Sequence, residues 1–326
     1  MKSRSNRRPK NAAQTAPSRS RLGNGFALLS RARQQAVLSV AKPAPLAASV
    51  TAFLSPAVVL QLLLFVAPML IIAGYSVLSR GAYGGVESPW TIENYQRLLD
   101  PLYGVILLRS VWLAAVSTLL CLVLGFPLAL FIARSGRRKN FYLQLVIMPF
   151  WTSFLIRTYA WLFLLRDTGL LNTVLQATGM ISEPLPLLYN DGAVVLGLVY
   201  GYLPFMVLPL YATLERLDPS LLEAAADLGA TPWVALWRIV LPLCRPGILA
   251  GAILVFIPCL GAYLTPDLMG GGKTIMIGNL VQNQFTTARD WPFGSAISLA
   301  LMALVMLLLM GAARRKGLEG EGEPLL

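Results

Sequence analysis

The run from Gly270 to Thr274, GGGKT, has the residue types that end a phosphate-binding loop. Such a loop needs a further glycine five positions before its last glycine, because its backbone N–H groups must surround the phosphate. That position is Asp267 here, and the sequence contains no other nucleotide motif. The run is therefore interpreted as a flexible turn, and the chain is not expected to bind ATP itself.

Other catalytic and metal-binding residue types are scarce. The 326 residues include no histidine, which is the commonest general base and metal ligand. Cys121, Cys244 and Cys259 are too far apart for a C-x-x-C motif, so no metal, cofactor or disulfide is expected. Because no nucleophile, base and acid cluster along the chain, a membrane-embedded enzyme is not favoured.

A more informative segment is the stretch 215–245, whose pattern predicts two short helices. Asp218 is a good N-cap and is followed by a proline, which suits the first helical position. Gly229 adopts the left-handed conformation easily and predicts the end of the first helix. Thr231 and Pro232 predict the start of the second.

The second predicted helix carries an apolar stripe of Trp233, Leu236, Trp237 and Val240. Three- and four-residue spacing places these side chains on one face, which needs a surface to contact. Lipid is one candidate, but lipid binding favours Lys and Arg on the polar face. The segment instead carries Glu215, Asp218, Glu223 and Asp227. A protein partner is therefore favoured.

Long apolar stretches must position this segment. The sequence is 56% hydrophobic and 13% charged, with a mean hydropathy of +0.65, which is too apolar for one water-soluble core. Continuous runs of about 20 apolar residues predict spanning helices rather than a barrel. The predicted spans are 52–78, 105–133, 141–165, 193–214, 246–266 and 293–313. We predict an all-α membrane protein with a six-helix transmembrane domain over 48–316.

Charged loops predict the orientation of these spans. Basic clusters follow the second and sixth spans; they are Arg134, Arg137, Arg138 and Lys139, and Arg314, Arg315 and Lys316. Basic loops stay in the cytoplasm, so both termini and the segment 215–245 are predicted to be cytoplasmic. The GGGKT run then lies on the external side, away from ATP.

The N-terminal residues 1–47 hold ten basic side chains and no acidic one. Nucleic-acid binding is an alternative, but Phe26 is the single aromatic residue available for stacking. Because the stretch leads directly into an apolar span, it is interpreted as a disordered cytoplasmic extension attracted to anionic lipid. Residues 317–326 are interpreted as a short acidic tail.

The segment 215–245 resembles the coupling loop of ABC importer permeases. The family spacing E-A-A-x3-G-x9-I-x-L-P falls without departure on Glu223, Ala224, Ala225, Gly229, Ile239, Leu241 and Pro242. The resemblance implies a type I ABC importer permease fold, in which cytoplasmic coupling helices dock in a cleft of a separate ATPase. In that family the small alanines allow close backbone approach, and the glycine sets the angle between the helices.

Three further stretches resemble permeases of spermidine/putrescine importers. They are WTSFLIRTYAW at 151–161, PFMVLPLYATL at 204–214, and the motifs between Pro266 and Ala296. The resemblance implies a bacterial inner-membrane complex with a second permease, a cytoplasmic ABC ATPase dimer that binds the ATP, and a periplasmic solute-binding protein. Related systems for opines, amino acids or other amine-bearing solutes share these stretches, so those solutes remain alternatives.

Candidate residues for the translocation pathway are Trp151, Arg157, Tyr159, Tyr202, Tyr263 and Asp267. Aromatic faces and carboxylates attract cations, although helix packing is the alternative role for each aromatic side chain. Arg157 is the one cation well inside a predicted span, and both structural and functional roles are open for it. A secondary transporter is not favoured, because the sequence shows neither an internal repeat nor midplane acids.

Overall fold

The computed structural model describes secondary structure for residues 46–320 and side chains for residues 54–311. The predicted tail 1–47 lies outside the described residues, except for Leu46 and Ala47 at the start of the first helix. The predicted acidic tail 317–326 is described only as far as Gly320, where the last helix ends.

The chain is helical apart from one short ribbon. The first half contains α1 Leu46–Ser76, β1 Leu78–Arg80, β2 Val86–Trp90, α2 Glu93–Leu98, α3 Pro101–Arg134, α4 Lys139–Ile147, α5 Phe154–Leu165 and α6 Leu170–Ala177. The second half contains α7 Asp191–Leu214, α8 Ser220–Asp227, α9 Pro232–Ala235, α10 Leu241–Leu243, α11 Arg245–Leu260, α12 Leu264–Gly270, α13 Ile277–Thr286 and α14 Trp291–Gly320. Strands β1 and β2 pair antiparallel.

Local sequence signals place the ends of the two longest core helices. The Asp100 carboxylate accepts a hydrogen bond from the Leu102 amide, with Pro101 at the first position of α3. The Asn190 side chain accepts one from the Ala193 amide at the start of α7. Each cap satisfies an amide that the helix itself leaves without an acceptor.

Helices α3, α7 and α11 pack against one another and form the centre of the fold. The buried Met206 of α7 lies between Gly125 of α3 and Gly251 of α11. A Cβ on Gly251 would lie 2.7 Å from the Met206 sulfur, and one on Gly125 would lie 3.2 Å from its Cγ. The absence of a side chain at both glycines therefore lets the three helices approach closely.

Four helical stretches are long and apolar enough to span a membrane: Leu54–Ser76, Pro101–Arg134, Asp191–Leu214 and Trp291–Gly311. Two bent pairs also qualify when each is taken as one span, so the described residues have four to six candidate spans, and the predicted six is the upper limit. The first pair, Gly136–Trp151 with Phe154–Ala177, bends by 88°, and the second, Pro232–Leu243 with Arg245–Leu260, bends by 66°. The fold thus agrees with a polytopic helical membrane protein.

The predicted third and fifth spans are not single straight helices. A 3-10 turn at Met148–Trp151 separates α4 from α5, so the expectation of one helix over 141–165 is wrong. Pro149 lies in this turn and has no N–H to continue an α-helix. The predicted fifth span, 246–266, ends as a helix at Leu260, and α12 begins at Leu264 after the Gly261 cap.

The chain divides into two compact units, 1–68 and 69–326. The described side chains of the first unit, residues 54–68 of α1, are exposed. They are almost all apolar, as expected of a helix whose surroundings are hydrocarbon or other membrane helices. The second unit contains α3, α7 and α11 with the segment 215–245.

Candidate functional site

The first half of the segment 215–245 folds as the predicted capped helix. The Asp218 carboxylate accepts a 2.9 Å hydrogen bond from the Ser220 amide, and this bond holds the pKa of Asp218 below its ordinary value. Helix α8 ends where Gly229 adopts φ +79°, the left-handed region. The Gly229 and Ala230 amides then donate to the Ala226 and Ala225 carbonyls, both at 2.9 Å. The prediction that Gly229 ends this helix in a left-handed conformation is confirmed.

The second half begins at Thr231, whose hydroxyl accepts a hydrogen bond from the Val234 amide. Helix α9 widens into a π turn at Leu236–Val240 before Pro242 and the start of α11. Val240 is buried in the transmembrane core, which fixes this end of the segment. The segment is therefore two short helices joined at Gly229 and anchored at both ends.

Large apolar side chains of this segment point into open space. Leu228 is 89% exposed, Trp233 66% and Trp237 54%. The two indoles pack edge to face, with ring centroids 5.8 Å apart. We call Leu228, Trp233 and Trp237 the coupling surface. Clustered exposed apolar groups of this size mark a surface that another molecule covers.

The seven residues of the E-A-A pattern lie along the same segment with different exposure. Glu223 and Ala224 are exposed, whereas Ala225 is buried against its own chain. Ile239, Leu241 and Pro242 are half-buried where the segment meets the transmembrane core. The exposed residues are thus available for an external contact, while Ala225 packs internally.

An ion pair fixes the beginning of the segment. The Lys139 ammonium lies 2.5 Å from the Glu215 carboxylate, and both side chains are partly exposed. The Lys139 hydrogen bond, together with one from the Tyr211 hydroxyl, holds the pKa of Glu215 below its ordinary value. Because Lys139 opens α4 and Glu215 follows α7, the pair connects two cytoplasm-facing turns of the predicted topology.

The GGGKT run forms a turn rather than a phosphate cradle. Gly271 and Gly272 have positive φ, and the Lys273 side chain is exposed. The Thr274 hydroxyl donates a hydrogen bond to the Asp191 carboxylate, which also accepts one from Arg109 at 2.6 Å. This turn is thereby attached to the first residue of α7.

The structure brings together two of the six pathway candidates. Tyr202 of α7 and Tyr263, just before α12, line a cavity of about 250 Å³. Phe154 at the start of α5 lines it as well, with its ring centroid 6.4 Å from that of Tyr202. Trp151, Tyr159 and Asp267 are exposed and do not line this cavity.

Arg157 lines a neighbouring cavity of about 240 Å³. Its guanidinium carbon lies 5.0 Å from the Phe150 ring centroid and 5.6 Å from that of Phe154. Its Nε and Nη1 atoms are buried and have no hydrogen-bond partner among the described residues. Since Phe150 lies in the 3-10 turn between α4 and α5 and Phe154 is the first residue of α5, Arg157 contacts both the turn and the helix that follows it.

Two features of these sites were absent from the sequence predictions. Leu228 is the most exposed apolar residue of the segment, and its place directly before the left-handed Gly229 was the available signal. The ion pair between Lys139 and Glu215 joins residues 76 positions apart, and no local pattern predicts such a contact.

A family profile described as "Binding-protein-dependent transport system inner membrane component" matches residues 122–315. The match covers more than half of the chain and includes the whole coupling surface.

Individual relatives agree with this match. The chain is 47% identical to the spermidine/putrescine transport system permease protein PotB of Escherichia coli K12, over 76% of this chain and 91% of the relative. Its identity to PotB of Haemophilus influenzae is 42%, over 74% of this chain and 85% of the relative.

The fold also matches a solved structure. A crystal structure of a bacterial ABC transporter that imports the acidic polysaccharide alginate superposes with a TM-score of 0.65 at 18% identity, covering 82% of this chain and 94% of the other. The described helices and the bent spans thus form a permease fold. This chain belongs to the family of inner membrane components of binding-protein-dependent transport systems, and it is a permease subunit of an ABC importer.

Proposed function

We propose that this chain translocates a polyamine, spermidine or putrescine, across the bacterial inner membrane. The observation that carries the proposal is the 47% identity to a spermidine/putrescine permease over 91% of that relative. Such identity extends through the transmembrane region, where the solute must pass. The translocated solute is therefore a small, flexible, multiply charged cation.

The coupling surface supports the proposed link to ATP. Leu228, Trp233 and Trp237 are exposed. They lie on a segment that the basic clusters after the second and sixth spans predict to be cytoplasmic. We assign this surface, together with Glu223, Ala224 and Gly229, to docking against a cytoplasmic ABC ATPase dimer. The partner ATPase binds and hydrolyses ATP, and the permease has no ATPase activity of its own.

Two further partners complete the proposed complex. A second permease subunit forms a heterodimer with this chain, and a periplasmic binding protein delivers the solute to the external side. The external face then contains the GGGKT turn, while both termini are cytoplasmic. The exposed apolar side chains of α1 and the coupling surface are consistent with a subunit that functions inside a larger assembly.

Uptake measurements test the solute. Cells lacking their own polyamine importers, supplied with this chain and its partner subunits, should accumulate radiolabelled spermidine or putrescine in an ATP-dependent manner. Omitting this chain should abolish that uptake. Uptake of an opine or an amino acid, with no uptake of either polyamine, would contradict the proposal and support the alternative amine-bearing solutes.

A second measurement tests the coupling role separately. The ATPase should co-purify with the wild-type permease and be lost when Trp233 and Trp237 are both replaced by serine. Unchanged co-purification would contradict the assignment of the coupling surface without affecting the identity of the solute.

A further inference from the structure

The cavity of about 250 Å³ beside Phe154 is bounded by four separate elements. The start of α5 contributes Phe154, the middle of α7 contributes Tyr202, and the end of α11 contributes Pro258. Tyr263 and Thr265 lie on the connection into α12 and complete the lining. The cavity thus lies where α11 ends as a helix inside the predicted fifth span.

Three aromatic rings line this space. Phe154, Tyr202 and Tyr263 are the aromatic members of its lining. The face of an aromatic ring carries partial negative charge and attracts ammonium groups, most strongly where water is excluded. The aromatic walls of this cavity, which include the half-exposed Tyr263, therefore favour an organic cation over an anion.

Backbone carbonyls at the end of α11 add to this preference. The Gly261 and Ala262 amides donate to the Ile257 and Cys259 carbonyls. The Pro258 carbonyl receives only a long contact of 3.5 Å from the Tyr202 hydroxyl among the described residues. The C-terminal end of a helix carries partial negative charge and stabilises cations. Pro258 thus presents an acceptor at the wall of the cavity.

A buried hydroxyl provides a second polar group beside the Pro258 carbonyl. Thr265 is 1% exposed, and its Oγ1 has no hydrogen-bond partner among the described residues. Leaving a buried polar atom without a partner is unfavourable. A ligand that donates hydrogen bonds, as an ammonium group does, would satisfy both this oxygen and the Pro258 carbonyl.

We propose that this cavity is a transit subsite for one alkylammonium end of the solute. This inference rests on the proposed polyamine function and deepens it by naming the residues that contact the amine. Phe154, Tyr202 and Tyr263 contact the methylene chain and the charge, while Pro258 and Thr265 accept its hydrogen bonds.

The charges around the cavity suit passage rather than tight binding. Among the described residues, no carboxylate lines it. Arg157 lies over the ring of Phe154 from the neighbouring cavity, so a fixed positive charge is close to the subsite. A transported ion must be bound well enough to enter and weakly enough to leave. The aromatic faces and the carbonyl attract an ammonium group, while the positive charge of Arg157 repels it. The two effects together favour weak, reversible binding.

The test uses the complete importer in proteoliposomes, with spermidine-loaded binding protein at saturation, and measures spermidine taken up per ATP hydrolysed. Tyr202→Leu and Tyr263→Leu each remove an aromatic face and should lower this ratio by about 3- to 30-fold. Tyr263→Phe retains the face and should keep most of the ratio. Thr265→Val removes the buried hydroxyl at nearly constant side-chain volume. It should also lower the amount of spermidine taken up per ATP hydrolysed.

Tyr200→Leu is the matched control. Tyr200 lies on the same helix, α7, packs edge to face on Trp161 and does not line the subsite. Its replacement should leave the ratio unchanged. The inference is overturned if Tyr263→Leu keeps the wild-type ratio, if Tyr263→Phe loses as much as Tyr263→Leu, or if Tyr200→Leu loses as much as Tyr202→Leu.

Failure of the underlying function has a different signature. If the wild-type importer takes up neither spermidine nor putrescine, the proposed function fails. If the wild type takes up spermidine and the leucine variants match it, only the subsite fails.

Discussion

The Lys139 ammonium donates a 2.5 Å hydrogen bond to the Glu215 carboxylate and joins the turn after α3 to the end of α7. Glu215 is also the first residue of the segment that carries the coupling surface. The pair therefore connects the start of that segment to the turn after α3.

Reversing either charge should impair ATP-driven uptake, because Lys139→Glu or Glu215→Lys places two like charges in contact. The double reversal, Lys139→Glu with Glu215→Lys, restores opposite charges and should recover most of the uptake. Measuring uptake and ATPase co-purification in the wild type, the two single variants and the double variant tests this prediction. If the double variant lost as much uptake as the single variants, a functional role for the ion pair would be contradicted.

The ion pair between Lys139 and Glu215 also predicts how the stability of the protein depends on pH. The pKa of Glu215 is lowered by its hydrogen bond from Lys139, so the carboxylate stays charged at pH values where an ordinary glutamate protonates. The charged Glu215 carboxylate stabilises the folded chain at pH values above the ordinary glutamate pKa of about 4.3. This stabilisation is lost as the pH falls through the lower pKa that Glu215 has in the folded state. The thermal stability difference between wild type and Glu215→Gln should be constant from pH 8 to pH 5. A difference that disappears already between pH 7 and pH 5 would contradict this.

Gly229 should tolerate substitution according to how well the new residue adopts positive φ. The left-handed conformation costs an L-residue about 1–2 kcal/mol, and a β-branched side chain suffers most. Gly229→Val should therefore weaken ATPase docking and uncouple transport, while membrane insertion remains normal. Gly229→Asn should fall between valine and wild type, because asparagine tolerates this conformation. Wild-type uptake and co-purification in Gly229→Val would refute the role of the bend.

The exposed tryptophans should matter for assembly and little for the stability of the isolated chain. Truncating a central interface tryptophan costs about 2 kcal/mol or more, which corresponds to roughly 30-fold weaker binding. Trp237→Ser should reduce ATPase affinity by this order in a pull-down titration. Trp90→Ser alters a tryptophan that is still more exposed, 73% against 54% for Trp237, on the predicted external side, and is the control. Equal effects of the two changes would contradict the assignment.

Thiol labelling checks the orientation. The three native cysteines are buried, so a maleimide that cannot cross membranes should give little background. Lys273→Cys, in the external turn, should react in intact cells or spheroplasts, whereas Leu228→Cys should react only after permeabilisation. Both native side chains are exposed. The reverse pattern would overturn the predicted topology.

Local rules predicted the parts of the molecule that depend on local chemistry. Asp218, Gly229 and Thr231 act through hydrogen bonds to neighbours within a few residues, so their types suffice to place the two short helices. Total apolar length likewise predicted membrane-spanning helices, and the four to six candidates among the described residues include the predicted number as their upper limit. These features require no knowledge of which helices meet.

The remaining features depend on contacts between distant residues. The break at Met148–Trp151 lies within a continuous apolar run, and Pro149 alone does not distinguish a mild kink from an 88° bend. Phe150 packs on Phe205 of α7, and Arg157 packs on both the turn and the helix that follows it. Such packing determines the bend and also gathers Tyr202 and Tyr263 at one cavity while leaving Tyr159 outside it.

Met206, held between Gly125 and Gly251, sets how closely the central helices can approach one another. A side chain at either glycine would meet the methionine and push α3 or α11 away from α7. The spacing of the three central helices therefore depends on two positions that have no side chain, which no apolar pattern in the sequence would single out.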